Sequence, residues 1–88
     1  MNNNFPAVLT TRSIEEQICK IEEEINEYRA ACENESRENQ DKEAVDILHA
    51  VETFLRLRFK NRDDELDEII HKVFVKNQAR GYYTKKCH

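Results

Sequence analysis

Ile14, Ile18, Ile21, Ile25, Tyr28 and Cys32 recur at intervals of three and four, a rhythm that an α-helix gathers onto one face. Ser13 and Glu16 stand at the start of this run with the spacing of a capping box. The Ser oxygen serves a free backbone N–H there, and the Glu reaches back. The spacing therefore predicts a first helix from about residue 13 to Cys32. Only one Gly and one Pro occur in 88 residues, which favours helices with few connections over a turn-rich β domain.

A second helix is expected over Lys42–Lys60, where Ala44, Val45, Ile47, Leu48, Ala50, Val51, Phe54, Leu55, Leu57 and Phe59 cover more than half the circumference. That breadth suits a helix contacted from two sides. Between the two helices, residues 33–41 contain no apolar side chain and read as a loop or a weak helical extension. Asn61 or Asp63 can cap a third helix, with Asp63, Asp64 and Glu65 at the positive end of its dipole. Leu66, Ile69, Ile70, Val73, Phe74 and Asn77 keep its period, and Gly81 ends it. The expected fold is all-α, an antiparallel bundle of about three helices completed by oligomerisation. Residues 1–12 form an irregular lead-in, 13–83 one helical domain and 84–88 a basic tail.

Charge is unevenly spread. The chain carries a formal charge of −4, yet residues 15–46 hold twelve acids against four bases, and residues 76–88 hold four bases and no acid. An acidic average disfavours duplex nucleic acid as a partner. No apolar run reaches the ~20 residues of a membrane span, and the start lacks the pattern of a signal peptide, so the expectation is a cytoplasmic protein. Cys19, Cys32 and Cys87 show no Cys-x-x-Cys spacing and read as reduced thiols, Cys32 in the core. Cys87-His88 is too small a ligand set for zinc. His49 and His71 read as surface histidines.

The acids of interest are those placed where solvation fails. With the Ile seam at 0° and about 100° per residue, Glu23 points outward at about 180°. Gln17, Lys20, Glu24 and Glu27 fall on one shoulder beside the seam, between about −60° and −140°. Glu43 and Asp46 occupy a shoulder of the second helix that runs on into Ala50 and Leu57. If the two helices pack antiparallel, these shoulders meet and gather four carboxylates. Such a group repels itself unless a cation offsets the charge, and an all-oxygen set suits Mg²⁺ or Mn²⁺. Lys76, Asn77 and Arg80 share the inward arc of the third helix and offer what a polyphosphate needs: a point charge, an amide and a guanidinium fork. Taken singly, each acid pair is also compatible with a solvated helix face.

The order Gln17 … Lys20 … Glu23-Glu24-Ile25-Asn26-Glu27, then Glu43-Ala44-Val45-Asp46, then Lys76-Asn77-Gln78-Ala79-Arg80, resembles the MazG-like all-α nucleoside triphosphate pyrophosphohydrolases over residues 13–83. The resemblance implies a homodimer or homotetramer whose protomers complete each other's bundle. It also implies Mg²⁺-dependent hydrolysis of a (d)NTP to monophosphate and pyrophosphate. On that pattern Glu24, Glu27, Glu43 and Asp46 hold the metal, with Glu23 ranked below them because it turns outward. Glu24 is the candidate proton acceptor, and Lys76 or Arg80 offsets charge on the leaving group. Lys20, Lys76, Asn77 and Arg80 contact phosphates, Gln17 lines the pocket, and Tyr82 can stack on the base. Phe54 and Phe59 are core or interface residues, with Phe54 near enough to the acids to stack as well. The chain lacks the insertions of longer members, which leaves substrate choice open. Two other readings compete: a silent helical oligomerisation or adaptor module, and a nucleic-acid-binding module using Tyr82, Tyr83, Lys85 and Lys86.

Overall fold

A computed structural model describes residues 3–9 and 11–83. Three helices account for most of them: α1 (Ile14–Asn34), α2 (Arg37–Arg58) and α3 (Asp63–Ala79), with no strand among the described residues. The basic tail expected over 84–88, including Cys87 and His88, lies outside the described residues. The chain divides into two compact units, one running to residue 58 and the other from residue 59 onward.

The first unit is a helical hairpin. Its first helix starts as the sequence predicts. Glu16 N–H donates to Ser13 Oγ at 3.1 Å, and Ser13 N–H donates to Glu16 Oε1 at 2.9 Å. The connection is shorter than expected, because α1 runs on to Asn34 and α2 begins at Arg37. The polar stretch 33–41 is thus mostly helical. Polar side chains stabilise the turn: Asn39 N–H donates to Ser36 Oγ at 3.3 Å, and Gln40 Nε2 donates to the Glu35 carbonyl at 2.9 Å. A connection of only two residues makes α1 and α2 antiparallel neighbours, and they pack together along their length.

The seam of this hairpin differs from the isoleucine face. Gln17, Glu24 and Ala31, seven residues apart, are the buried positions of α1. Gln17 meets Ala50 of α2, and Glu24 meets Glu43, also seven residues from Ala50. The register is fixed where Gln17 Nε2 donates to the Ala50 carbonyl at 2.9 Å. A seven-residue repeat is what two nearly antiparallel helices keep in contact. The shoulders, small and polar, therefore form the contact. Ile14, Ile21, Ile25 and Tyr28 are half-buried beside it, while Ile18, Val45 and Leu48 are 36–48% exposed. Cys32, expected in the core, is exposed: it stands one position beyond buried Ala31 and off the seven-residue line.

Among the described residues before α1, Asn4 and Phe5 are anchored. Asn4 and Phe5 bond to Glu52 on α2, and the Phe5 ring stacks on His49 with centroids 4.5 Å apart. His49 is accordingly half-buried rather than a surface histidine.

In the second unit Asn61 adopts a left-handed backbone (φ 61°) in the turn that precedes α3. The N-cap position falls to Arg62, which makes no side-chain cap bond, so neither Asn61 nor Asp63 caps this helix. Asp63, Asp64 and Glu65 do lie in the first turn, at the positive end of the dipole. Gly81 closes the helix at φ 78°, a conformation that costs glycine little. Beyond it, Tyr83 stacks on Phe74 at 5.1 Å and its hydroxyl meets Asn77 Nδ2 at 3.4 Å. Leu66 is the buried residue of α3, whereas Ile69, Ile70, Val73, Phe74 and Val75 are each exposed by two-fifths or more.

Candidate functional site

The seam places Glu24, Glu27 and Glu43 together. One carboxylate oxygen of each lies within 4.8 Å of the other two. The cause is the antiparallel register: Gln17 opposite Ala50 puts Glu24 one heptad further along α1 opposite Glu43, one heptad back along α2. Glu27 follows Glu24 by less than a turn and reaches the same point. Asp46 stands outside this triangle, exposed, though close enough to Glu43 to act on its charge.

The electrostatics are those of crowded acids. The charge of Glu24 pushes the Glu27 carboxyl above the usual range. Glu43 is raised too, first by desolvation and then by the charges of Asp46 and Glu24. Glu24 is 8% exposed and has one cationic partner on the same helix, Lys20 Nζ, at 3.0 Å from its Oε1. That pairing raises the Lys20 ammonium above its ordinary value. The other oxygen, Glu24 Oε2, is buried with no hydrogen-bond partner, and so is Glu43 Oε2. Buried carboxylate oxygens without a partner are costly unless a proton or a cation satisfies them.

Beside the triangle lies a cleft of about 190 Å³ whose walls include Arg12, Lys20, Glu24, Asp46 and His49. Gln17 lines it as expected, but its amide is already committed. Nε2 donates to Ala50, and Oε1 accepts from Arg12 Nη1 at 3.1 Å. Gln17 is a bolt between the helices more than a free ligand. A wider depression of about 480 Å³ runs past Cys19, Glu23, Asn26 and Glu27, but α1 alone lines it. Glu23 faces solvent there, its side chain 57% exposed, as the wheel requires.

Lys76, Asn77, Arg80 and Tyr82 belong to the second unit, on α3 and just after it. Lys76, Arg80 and Tyr82 are exposed, and Asn77 is half-buried beside Tyr83. Phe54 is half-buried in α2. Sequence reasoning missed Arg12, Glu52 and Arg56. Glu52 is 5% exposed, and Arg56 lies one turn on from it, an acid and a base within the apolar C-terminal half of α2. That pair was the available signal. No protein-family profile, curated protein or solved structure matches the chain.

Proposed function

We propose that this chain is a MazG-like, Mg²⁺-dependent nucleoside triphosphate pyrophosphohydrolase. One observation carries the reading: three carboxylates from two helices converge within 4.8 Å at a partly buried seam, two with oxygens that have no partner. Hard oxygen donors in excess of nearby positive charge suit magnesium or manganese. Glu24, Glu27 and Glu43 would hold the ion, with Asp46 at its edge. When bound, the ion supplies Lewis-acid polarisation of phosphate oxygens and neutralises part of their charge.

The residues divide the remaining work. A carboxylate oxygen not used in coordination, on Glu24 first, accepts a proton from the water that attacks the α phosphorus. Breaking the bond between the α phosphorus and its bridging oxygen releases pyrophosphate and leaves the monophosphate. Lys20 holds a phosphate from the cleft side. On the resemblance, Lys76, Asn77 and Arg80, which stand in the second unit, are the expected phosphate ligands, and Tyr82 is the expected base-stacking ring. Gln17 keeps the two helices in register. The exposed Ile18, Val45 and Leu48 support assembly into a dimer or tetramer.

The test is a screen of canonical and damaged nucleoside triphosphates with Mg²⁺, scored by pyrophosphate release, with calorimetry of Mg-dependent triphosphate binding beside it. Turnover of at least one triphosphate is expected. Absence of both turnover and binding, with Mg²⁺ or Mn²⁺, sinks the reading. The exposed apolar side chains of α1, α2 and α3 equally support a second reading, a silent helical oligomerisation module. An oligomer that binds no nucleotide is its signature.

A further inference from the structure

The acidic cluster needs cations opposite it to bind a polyphosphate, and those expected from sequence on α3 belong to the other unit. Within the hairpin unit itself, Arg12 and Lys20 both line the cleft that holds Glu24 and Asp46. Arg12 is the residue immediately before the Ser13 cap, so its backbone is fixed by the start of α1. Its guanidinium is fixed as well. Nη1 donates to Gln17 Oε1, and Gln17, 1% exposed, is bolted to the Ala50 carbonyl.

The chain leading to Arg12 is held by a second device further along α2. Glu52 accepts from Asn4 N–H (3.0 Å), Asn4 Nδ2 (2.9 Å) and Phe5 N–H (3.0 Å). Arg56 Nη2 donates to the Phe5 carbonyl at 2.6 Å. An acid and a base one turn apart thus grip the two polar faces of one stretch of backbone. The Phe5 ring lies on His49, and Val8 joins His49 and Arg12 in the cleft wall. Of the described residues before α1, Phe5 is held by the clamp, Arg12 by Gln17, and Val8 lines the cleft.

We propose that the segment before α1 is a strap, clamped by Glu52 and Arg56, whose task is to deliver Arg12 as a substrate-phosphate ligand opposite the acidic cluster. A guanidinium braced by a buried amide is preorganised for the fork geometry of phosphate oxygens, so little side-chain freedom is lost on binding. Arg12 binds substrate directly in this scheme, and Glu52 is a positioning residue acting through the strap. The inference rests on the pyrophosphohydrolase reading and adds to it a ligand and the element that carries it.

The experiment compares wild type, Arg12→Ala, Arg12→Lys and Glu52→Gln in steady-state triphosphate hydrolysis. Calorimetry with inorganic tripolyphosphate and Mg²⁺ accompanies the kinetics. Losing a charged donor to an anion costs about ten- to a hundredfold in affinity. Arg12→Ala is expected to raise KM and weaken tripolyphosphate by that factor, with a much smaller change in kcat. Arg12→Lys recovers part of the loss, because a point charge remains without the fork. Glu52→Gln moves KM in the same direction by less. If wild type turns over and Arg12→Ala leaves KM and tripolyphosphate affinity untouched, the strap inference falls alone. A fall in kcat and melting temperature with constant KM also overturns it, since that marks a purely structural arginine. If wild type neither turns over a triphosphate nor binds tripolyphosphate, the pyrophosphohydrolase reading fails and takes the strap with it.

Discussion

Glu52 and Glu24 are both withdrawn from solvent on the helical hairpin, at 5% and 8% exposure, yet their surroundings have opposite character. Around Glu52 the chain gathers donors: two backbone N–H groups and an amide, with Arg56 nearby. Its carboxyl is lowered below the usual range, chiefly by the Asn4 backbone N–H. Around Glu24 the chain gathers further acids. One oxygen meets Lys20, the other has no donor, and the charge of Glu24 raises Glu27. A carboxylate enclosed by donors stabilises the fold that encloses it. A carboxylate enclosed by carboxylates does not, and in the proposed reading a cation at the seam offsets their repulsion. The difference separates a structural acid from a candidate functional one without reference to any relative.

Replacing each with glutamine should therefore have opposite consequences. The largest effect is expected on chemistry. Glu24→Gln keeps the side chain's shape but removes its charge, and it should lower Mg-dependent pyrophosphate release by at least about a hundredfold, as loss of a metal-holding base does. Its melting temperature without metal should not fall, because the neighbouring acids are relieved. Retention of wild-type turnover by this variant removes Glu24 from the mechanism. Next in size is Glu52→Gln. An amide accepts less strongly than a carboxylate and brings two donors of its own toward Asn4 and Phe5. A drop of several degrees in melting temperature is expected, with faster hydrogen exchange at the Asn4 and Phe5 amides. Equal exchange in the two proteins would show that the clamp contributes nothing.

Much of this was legible in the residues, and the gaps have physical causes. Ser13 and Glu16 announced the start of α1, because a capping box depends only on local spacing. Glu24, Glu27 and Glu43 could be placed on facing shoulders, since helical periodicity survives folding. Which face becomes the seam could not be read. Apolar Val45 and Leu48 outweigh Ala50 on any hydrophobic scale, yet the smaller Ala50 is the one buried against α1. Close approach of two helices selects small side chains over greasy ones. The start of α2 escaped notice because residues 33–41 contain nothing apolar for periodicity to register. The clamp on Asn4 and Phe5 joins residues 47 and 48 positions apart. No local pattern encodes such a contact.

The pH response should carry both signs in one molecule. Glu52 has a lowered folded value, so the stability it contributes is present above the ordinary 4.5 and is lost as pH falls through that lowered value. Glu27 and Glu43 are raised, so their contribution is whole below 4.5 and is lost as pH rises through their folded values. Melting temperature without metal should therefore pass through a maximum on the acid side of neutrality. Saturating Mg²⁺ should flatten the alkaline limb and leave the acid limb in place. An alkaline limb that ignores Mg²⁺ would contradict a cation at the seam.

The smallest effect expected is that of Glu43→Gln on the same profile. Glu43 is raised first by its own desolvation, and only then by Asp46 and Glu24. Removing its charge should cancel its own share of the alkaline loss and ease the repulsion felt by Glu27, which Glu43 also helps to raise. The metal-free variant should then melt slightly higher than wild type above the ordinary carboxylate range and identically below it. The gain is modest because Glu24 remains the main neighbour acting on Glu27. With Mg²⁺ present the ranking should invert, since wild type gains an ion that the variant holds less well. A thermal melt of the two proteins at neutral pH, with and without Mg²⁺, reads this crossing directly. Parallel behaviour in both conditions would mean that the triangle of acids is only a crowded surface.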